Sequence, residues 1–234
     1  MLKADELMTI YSSSLIETSH GHIRMTEKQE DKAALAEISL SASGDFIKIC
    51  PEFLRKQQDV YRKCSGFINY KMICDGVLMY HKNENEHYLI IVEMKSGFSD
   101  VKKAVAQISS SYIKLKTHLT SFASYDATDY KEFGLIFSYP PRKEDYNDTR
   151  NNRMVMDAKR NFLPHTSVDQ TENYLNKRKK ELQVTGRTEL DAKQMQIDLL
   201  PLKSDCLYNT LPILHQSVTT SSASLDLDDI VCRL

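Results

Sequence analysis

Two apolar runs dominate the pattern of the chain, Met72–Tyr80 and Tyr88–Met94, separated by the polar, turn-prone stretch Lys82–Glu86. Their short lengths and their content of β-branched and aromatic residues predict a hairpin rather than a buried helix. Side chains alternate across a strand, so Leu89, Ile91, Glu93 and Lys95 share one face while Tyr88, Ile90, Val92 and Met94 share the other. Both faces are apolar, which predicts a central strand. Beyond it Val101, Ala104, Val105, Ile108, Tyr112, Leu115 and Leu119 recur at three- and four-residue steps, an amphipathic helix whose stripe packs on the sheet. Lys103, Gln107, Ser110 and Lys114 form a polar flank of that helix. Glu132–Tyr139, EFGLIFSY, reads as a further core strand closed by Pro140-Pro141.

Elsewhere the patterning is weaker. Strands are expected around Leu7–Tyr11 and Phe46–Cys50, with a short helical pattern from Thr26-Glu27-Lys28 through Leu35-Ala36. Arg142–Arg160 is a polar, Arg- and Lys-bearing loop, and Glu172–Gln183 carries the basic run Lys177-Arg178-Lys179-Lys180. Lys193–Leu200 alternates like a half-buried strand, and Leu207–Leu214 adds a last one. The Ser/Thr-rich composition after His215 predicts a flexible tail, residues 217–234, whose apolar-acidic end Leu225–Leu234 docks on this or another chain. Residues 1–216 then form a single α/β domain, in which a mixed central sheet is flanked by helices.

The hairpin carries the chemistry. With its turn centred near Glu84, Asp75 falls opposite Glu93 on the same face, where cross-strand Cβ atoms lie about 4.5–5.5 Å apart. Two carboxylates at that separation repel unless a cation lies between them or one is protonated. A hard, oxygen-seeking Mg²⁺ suits two carboxylates completed by a main-chain carbonyl and waters. Lys95, on the same face, is placed to reach a metal-bound water or the developing charge of a substrate. The competing reading is an ordinary hairpin in which Asp75 begins a turn with Gly76 and Glu93 and Lys95 form a surface ion pair. That reading has to accommodate a Glu inside the apolar LIIVEM.

An Asp in one strand followed by Glu-x-Lys in the next, here Asp75 and Glu93-Met94-Lys95, resembles the signature of the PD-(D/E)XK nuclease superfamily. The resemblance extends to Gln107 in the following helix. Cys74 and Lys103-Ala104-Val105-Ala106-Gln107 are similar to a branch found among bacterial defence-associated nucleases, which implies a role against phage. Tyr112 lies five residues after Gln107 rather than four, and no role is carried over to it. The resemblance implies a restriction-endonuclease-like core over residues 46–141. Asp75 and Glu93 would hold Mg²⁺, with Mn²⁺ able to substitute, and the Met94 carbonyl would be a further ligand. Lys95 would orient or deprotonate the attacking water, and Gln107 would steady that water or the phosphate of a DNA backbone. Lys103, Ser110 and Lys114, on the same flank as Gln107, would then meet the DNA. Relatives often add a Glu from an upstream helix, for which Glu37 and Glu52 are the candidates.

Composition narrows this only modestly. In a chain of 234 residues, 31 basic against 32 acidic residues leave a net charge of −1, so no global field draws it onto nucleic acid and local basic patches or a partner must do so. A binding module built on a nuclease-like scaffold, acting through a protein partner or as a homo-oligomer, is therefore the alternative. Five cysteines without a Cys-x-x-Cys pair argue against a zinc site or disulfide framework, and the absence of a long apolar run argues against a membrane span. A cytoplasmic protein is expected. His20 and His22 form a His-x-His without a third ligand nearby.

Overall fold

In the computed structural model, the described residues are 2–26, 35–55, 72–97, 100–139, 187–191, 210–232 and 234. The expected helical pattern from Thr26 to Ala36 falls largely outside them, and the Arg142–Arg160 loop, the basic run at 177–180 and the strand at 193–200 fall wholly outside.

The hairpin forms as the alternation requires. Strand β3 (Gly76–Asn83) pairs antiparallel with β4 (Glu86–Lys95) around a turn at Glu84 and Asn85, in the register Gly76↔Val92 and Tyr80↔Tyr88. The Asp75 amide donates to the Val92 carbonyl at 3.0 Å, which continues the ladder by one step and sets Asp75 opposite Glu93. Met72, Ile73 and Cys74, expected in this strand, instead form an irregular approach to it.

Around this hairpin a mixed eight-stranded sheet is built. Its path runs β1 (Ile16–Thr26), β2 (Glu37–Ile49), β3, β4, β5 (Tyr130–Ser138), β7 (Thr210–Ser217), β6 (Arg187–Asp191), while β8 (Ser222–Asp226) pairs with β2. The first four strands are an antiparallel meander; β4, β5 and β7 are parallel neighbours; β8 lies parallel to the start of β2. Four α-helices are described: α1 (Ala4–Ile10), α2 (Pro51–Arg55), α3 (Val101–Leu119), which crosses over between the parallel β4 and β5, and α4 (Leu227–Val231). None of them is long and apolar enough to cross a membrane.

Each face of the sheet carries its own core. Val77, Met79, Leu89 and Ile91 pack with Ala104, Val105, Ile108, Tyr112 and Leu115 of α3, whereas Leu78, Tyr80, Tyr88, Ile90, Val92 and Met94 pack on the other side with Leu227, Ile230 and Val231 of α4. The partition between faces is the one that strict alternation dictates. At Gly134 in β5 a Cβ would come within 2.8 Å of Ile108, so the absence of a side chain lets α3 lie close on the sheet.

Two expectations are overturned. Residues 7–11 are not a strand but belong mostly to α1, where Asp5 and Glu6 favour a helix N-terminus and the Glu6 carboxylate accepts from the Lys3 amide at 2.9 Å. Residues 217–234 are not a free tail. β8 adds to the sheet, and Asp228 on α4 accepts from Tyr80 Oη at 2.7 Å and from the Ser43 amide at 3.0 Å. The apolar-acidic end thus docks on its own chain.

Candidate active site

β2, β4, β5 and β7 run in one direction and β3 against them, so a single end of the sheet collects the ends of the first four and the start of β3. Glu52 and Arg55 on α2, Asp75, Glu93 and Lys95, Ser138 and His215 all lie toward that end. Ligand sites in parallel α/β sheets form at the carboxyl ends of the strands.

Glu93 is fully buried, and its Oε1 is ion-paired with Lys95 Nζ, whose side chain is 12% exposed. Asp75 Oδ2 accepts from the Met94 amide at 2.7 Å, and the strand register sets its carboxyl on the same face as that of Glu93, directly across the hairpin. Burial holds the Asp75 carboxyl above the usual carboxylate range; the Met94 amide, Lys95, Glu93 and Arg55 pull the other way without offsetting it. Two carboxyl groups so placed repel each other when both are charged, and the Lys95 ammonium offsets this on the Glu93 side. A surface ion pair, the competing reading of the sequence, does not describe a Glu93 that is fully buried.

The polar side of α3 serves a purpose that the sequence pattern did not reveal. Gln107 Nε2 donates to the Ile73 carbonyl at 2.9 Å, Ser111 Oγ accepts from the Cys74 amide at 2.8 Å, and Lys114 Nζ donates to the Met72 carbonyl at 3.1 Å. These three residues, one or two turns apart, satisfy the main chain of the irregular segment that delivers Asp75. The flank expected to face DNA is corrected accordingly. Lys103 is exposed and Gln107 half-buried, but Ser110 and Lys114 are both buried and cannot meet a nucleic acid there. Burial also brings the Lys114 ammonium down to about 8. Gln107 sits beside the segment preceding Asp75, with its Oε1 buried and without a hydrogen-bond partner among the described residues. Met94 contributes its amide to Asp75.

Of the two upstream acids, Glu52 lies on α2 directly after β2, at the right end of the sheet, in a 3.7 Å ion pair with Arg55. Glu37 opens β2 opposite Thr26, twelve residues before Ile49, which at ~3.3 Å per residue is roughly 40 Å from the site. It takes no part. His20 and His22 also lie apart from the site, bonded to Asp45 at 2.7 Å and to Ser39 at 2.5 Å.

Sequence reasoning missed Arg55, Ser111, Ser138 and His215. Arg55 carried the one available signal, a cation closing the short helix that follows a strand. Ser138 and His215 become visible only once the strand order is known, and Ser111 only once Met72–Cys74 are seen to leave the strand.

The donor set fits a hard divalent cation. Two carboxylates on one face across the hairpin would supply charge and oxygen atoms, and Mg²⁺ commonly takes only one or two protein carboxylates, leaving its remaining positions to water and substrate phosphate. No three His, Cys, Asp or Glu side chains among the described residues converge on one point, so any further ligands would come from elsewhere. Comparison with protein-family models, curated proteins and solved structures finds no match to the chain.

Proposed function

We propose that the protein is a Mg²⁺-dependent nuclease that hydrolyses DNA phosphodiester bonds on a restriction-endonuclease-like core. The observation that carries this reading is the register that sets Asp75 opposite the fully buried Glu93, with Lys95 beside them at the carboxyl ends of parallel strands. A pair of adjacent acids with one lysine is costly to bury for stability alone, since each ion pays desolvation on leaving water. The same set can hold a metal ion and direct a water in phosphodiester hydrolysis.

Asp75 and Glu93 would hold the ion, which would supply an activated water and neutralise negative charge on the oxygens of the phosphorane-like transition state. Lys95 would direct its ammonium at the attacking water or the non-bridging oxygens, its aim fixed by a position on a central strand rather than a loop. Gln107, Ser111 and Lys114 act one step back, holding residues 72–74 so that Asp75 stays opposite Glu93. Arg55 adds positive charge near Asp75.

Purified protein should cut plasmid or linear DNA in Mg²⁺ or Mn²⁺, and Asp75→Asn and Glu93→Gln should each lose that activity while remaining folded. Cleavage that persists in both variants would remove the assignment. One observation favours a second reading, in which a partner subunit supplies the nucleic-acid surface: Ser110 and Lys114 face inward and the chain is close to neutral. A parent protein that is silent alone but cuts once a partner is added would select it.

A further inference from the structure

The parallel register places Lys95 beside Ser138 and Glu93 beside Ile136, and the next pairing places His215 beside Ile136. Residues paired in adjacent strands point to the same face, and Ile136 belongs to the core beneath α3. Lys95, Ser138 and His215 therefore share the face that holds the two carboxylates. Adjacent strands lie ~4.8 Å apart, which is within the sweep of a lysine side chain.

Ser138 and His215 are both buried and bonded to each other, Oγ to Nε2, at 2.8 Å. Ser138 Oγ also donates to the Tyr139 carbonyl at 3.0 Å. A hydroxyl has one hydrogen and two acceptor lone pairs. With its hydrogen on Tyr139, Ser138 must accept from His215, which therefore carries its proton on Nε2. Burial brings His215 down to about 3, so the ring is neutral. The result is a serine oxygen with its hydrogen turned away and one acceptor position left over, a strand's width from a lysine.

That lysine has to move if the carboxylates take a divalent ion. Lys95 Nζ is bonded to Glu93 Oε1, and a second cation on the same carboxylate would repel it. A largely buried ammonium needs another acceptor when it leaves. We propose that Ser138, held in its accepting orientation by His215, is the seat that the Lys95 ammonium takes when a divalent cation occupies Asp75 and Glu93. Ser138 and His215 are then positioning residues. They act through Lys95, and they rest on the metal reading of the acidic pair.

The test is Mn²⁺ binding by calorimetry, with no substrate present, in the parent, Ser138→Ala, Lys95→Met and the double variant, with Asp75→Asn as the control for the site. Ser138→Ala should weaken Mn²⁺ binding about tenfold, as loss of a group supporting a metal site commonly does. The same substitution in the Lys95→Met background should change it less than twofold, because no ammonium remains to be housed. Equal weakening in both backgrounds, or none in either, would overturn the proposal. Binding unaffected by Asp75→Asn, or absent in the parent, would overturn the metal reading as well. Ser138→Cys, nearly the same shape but a poor acceptor, repeats the comparison should the alanine variant be unstable. In the parent itself, an Mg²⁺ titration followed by NMR of the lysine ammonium groups should bring Lys95 Nζ into contact with the His215 ring. A Lys95 resonance that does not move would overturn the proposal without any substitution.

Discussion

At the scale of single residues, Asp75 governs the pH dependence of the site. Its carboxyl is raised by burial, so the stability it contributes is complete below the ordinary carboxylate value, about 3.9, and is lost as pH rises through the raised one. Asp75→Asn stays neutral and still accepts from the Met94 amide. It should be more stable than the parent near neutral pH, with the difference shrinking as pH falls toward 4, as read from denaturant midpoints; an asparagine variant less stable at neutral pH would contradict this. Glu132 offers a contrast. Its carboxylate accepts from Lys116 at 2.7 Å, Tyr112 at 2.6 Å and Tyr125 at 2.8 Å, all behind α3. Glu132→Gln would leave Lys116 buried without its counter-charge and should cost about 3–5 kcal/mol in denaturant unfolding, whereas changing Lys116 and Glu132 together to apolar residues should cost much less.

At the scale of elements, the polar side of α3 is the clearest case of a pattern read correctly and assigned wrongly. Its apolar stripe, the hairpin register and the Asp75–Glu93 juxtaposition were legible because each depends on spacing within a few dozen residues. The destination of Gln107, Ser111 and Lys114 was not, because it depends on Met72–Cys74 leaving the strand, which an unbroken apolar run conceals. α1 was misread for a related reason: a few apolar residues fit either period, and only the capping by Glu6 decides between them. Ser111→Ala tests the new assignment. It orphans the buried Cys74 amide, so it should cost about 1–3 kcal/mol and speed hydrogen exchange at that amide, while α3 itself keeps its protection. Exchange that accelerates along the whole helix would show instead that Ser111 supports α3 rather than the approach to Asp75.

At the scale of the whole molecule, both ends of the chain are tied to one sheet, and that coupling was invisible in the composition. A Ser/Thr-rich stretch looks like a linker until β8 is seen to pair with residues 37–41, a contact far away in sequence. Because Leu227, Ile230 and Val231 cover the face of β3 and β4 opposite α3, removing residues 222–234 should destabilise the protein by roughly 5 kcal/mol or more, at about 1.5–3 kcal/mol per buried apolar side chain, and should expose a dye-binding apolar surface. An unchanged melting temperature would mean that this segment adds nothing to the core. The same architecture gathers the strand ends on which the candidate site is built, and whether that end takes a divalent ion can be asked without knowing the substrate. In a melting series of the parent and Asp75→Asn, with and without Mn²⁺ at tenfold its dissociation constant, the parent should gain about 1.4 kcal/mol, a rise of roughly 3–6 °C for a domain of this size. Asp75→Asn should melt higher than the parent without metal and lose most of the rise with it. No rise in the parent, or an equal rise in both proteins, would contradict the assignment of Asp75 and Glu93 as a cation site.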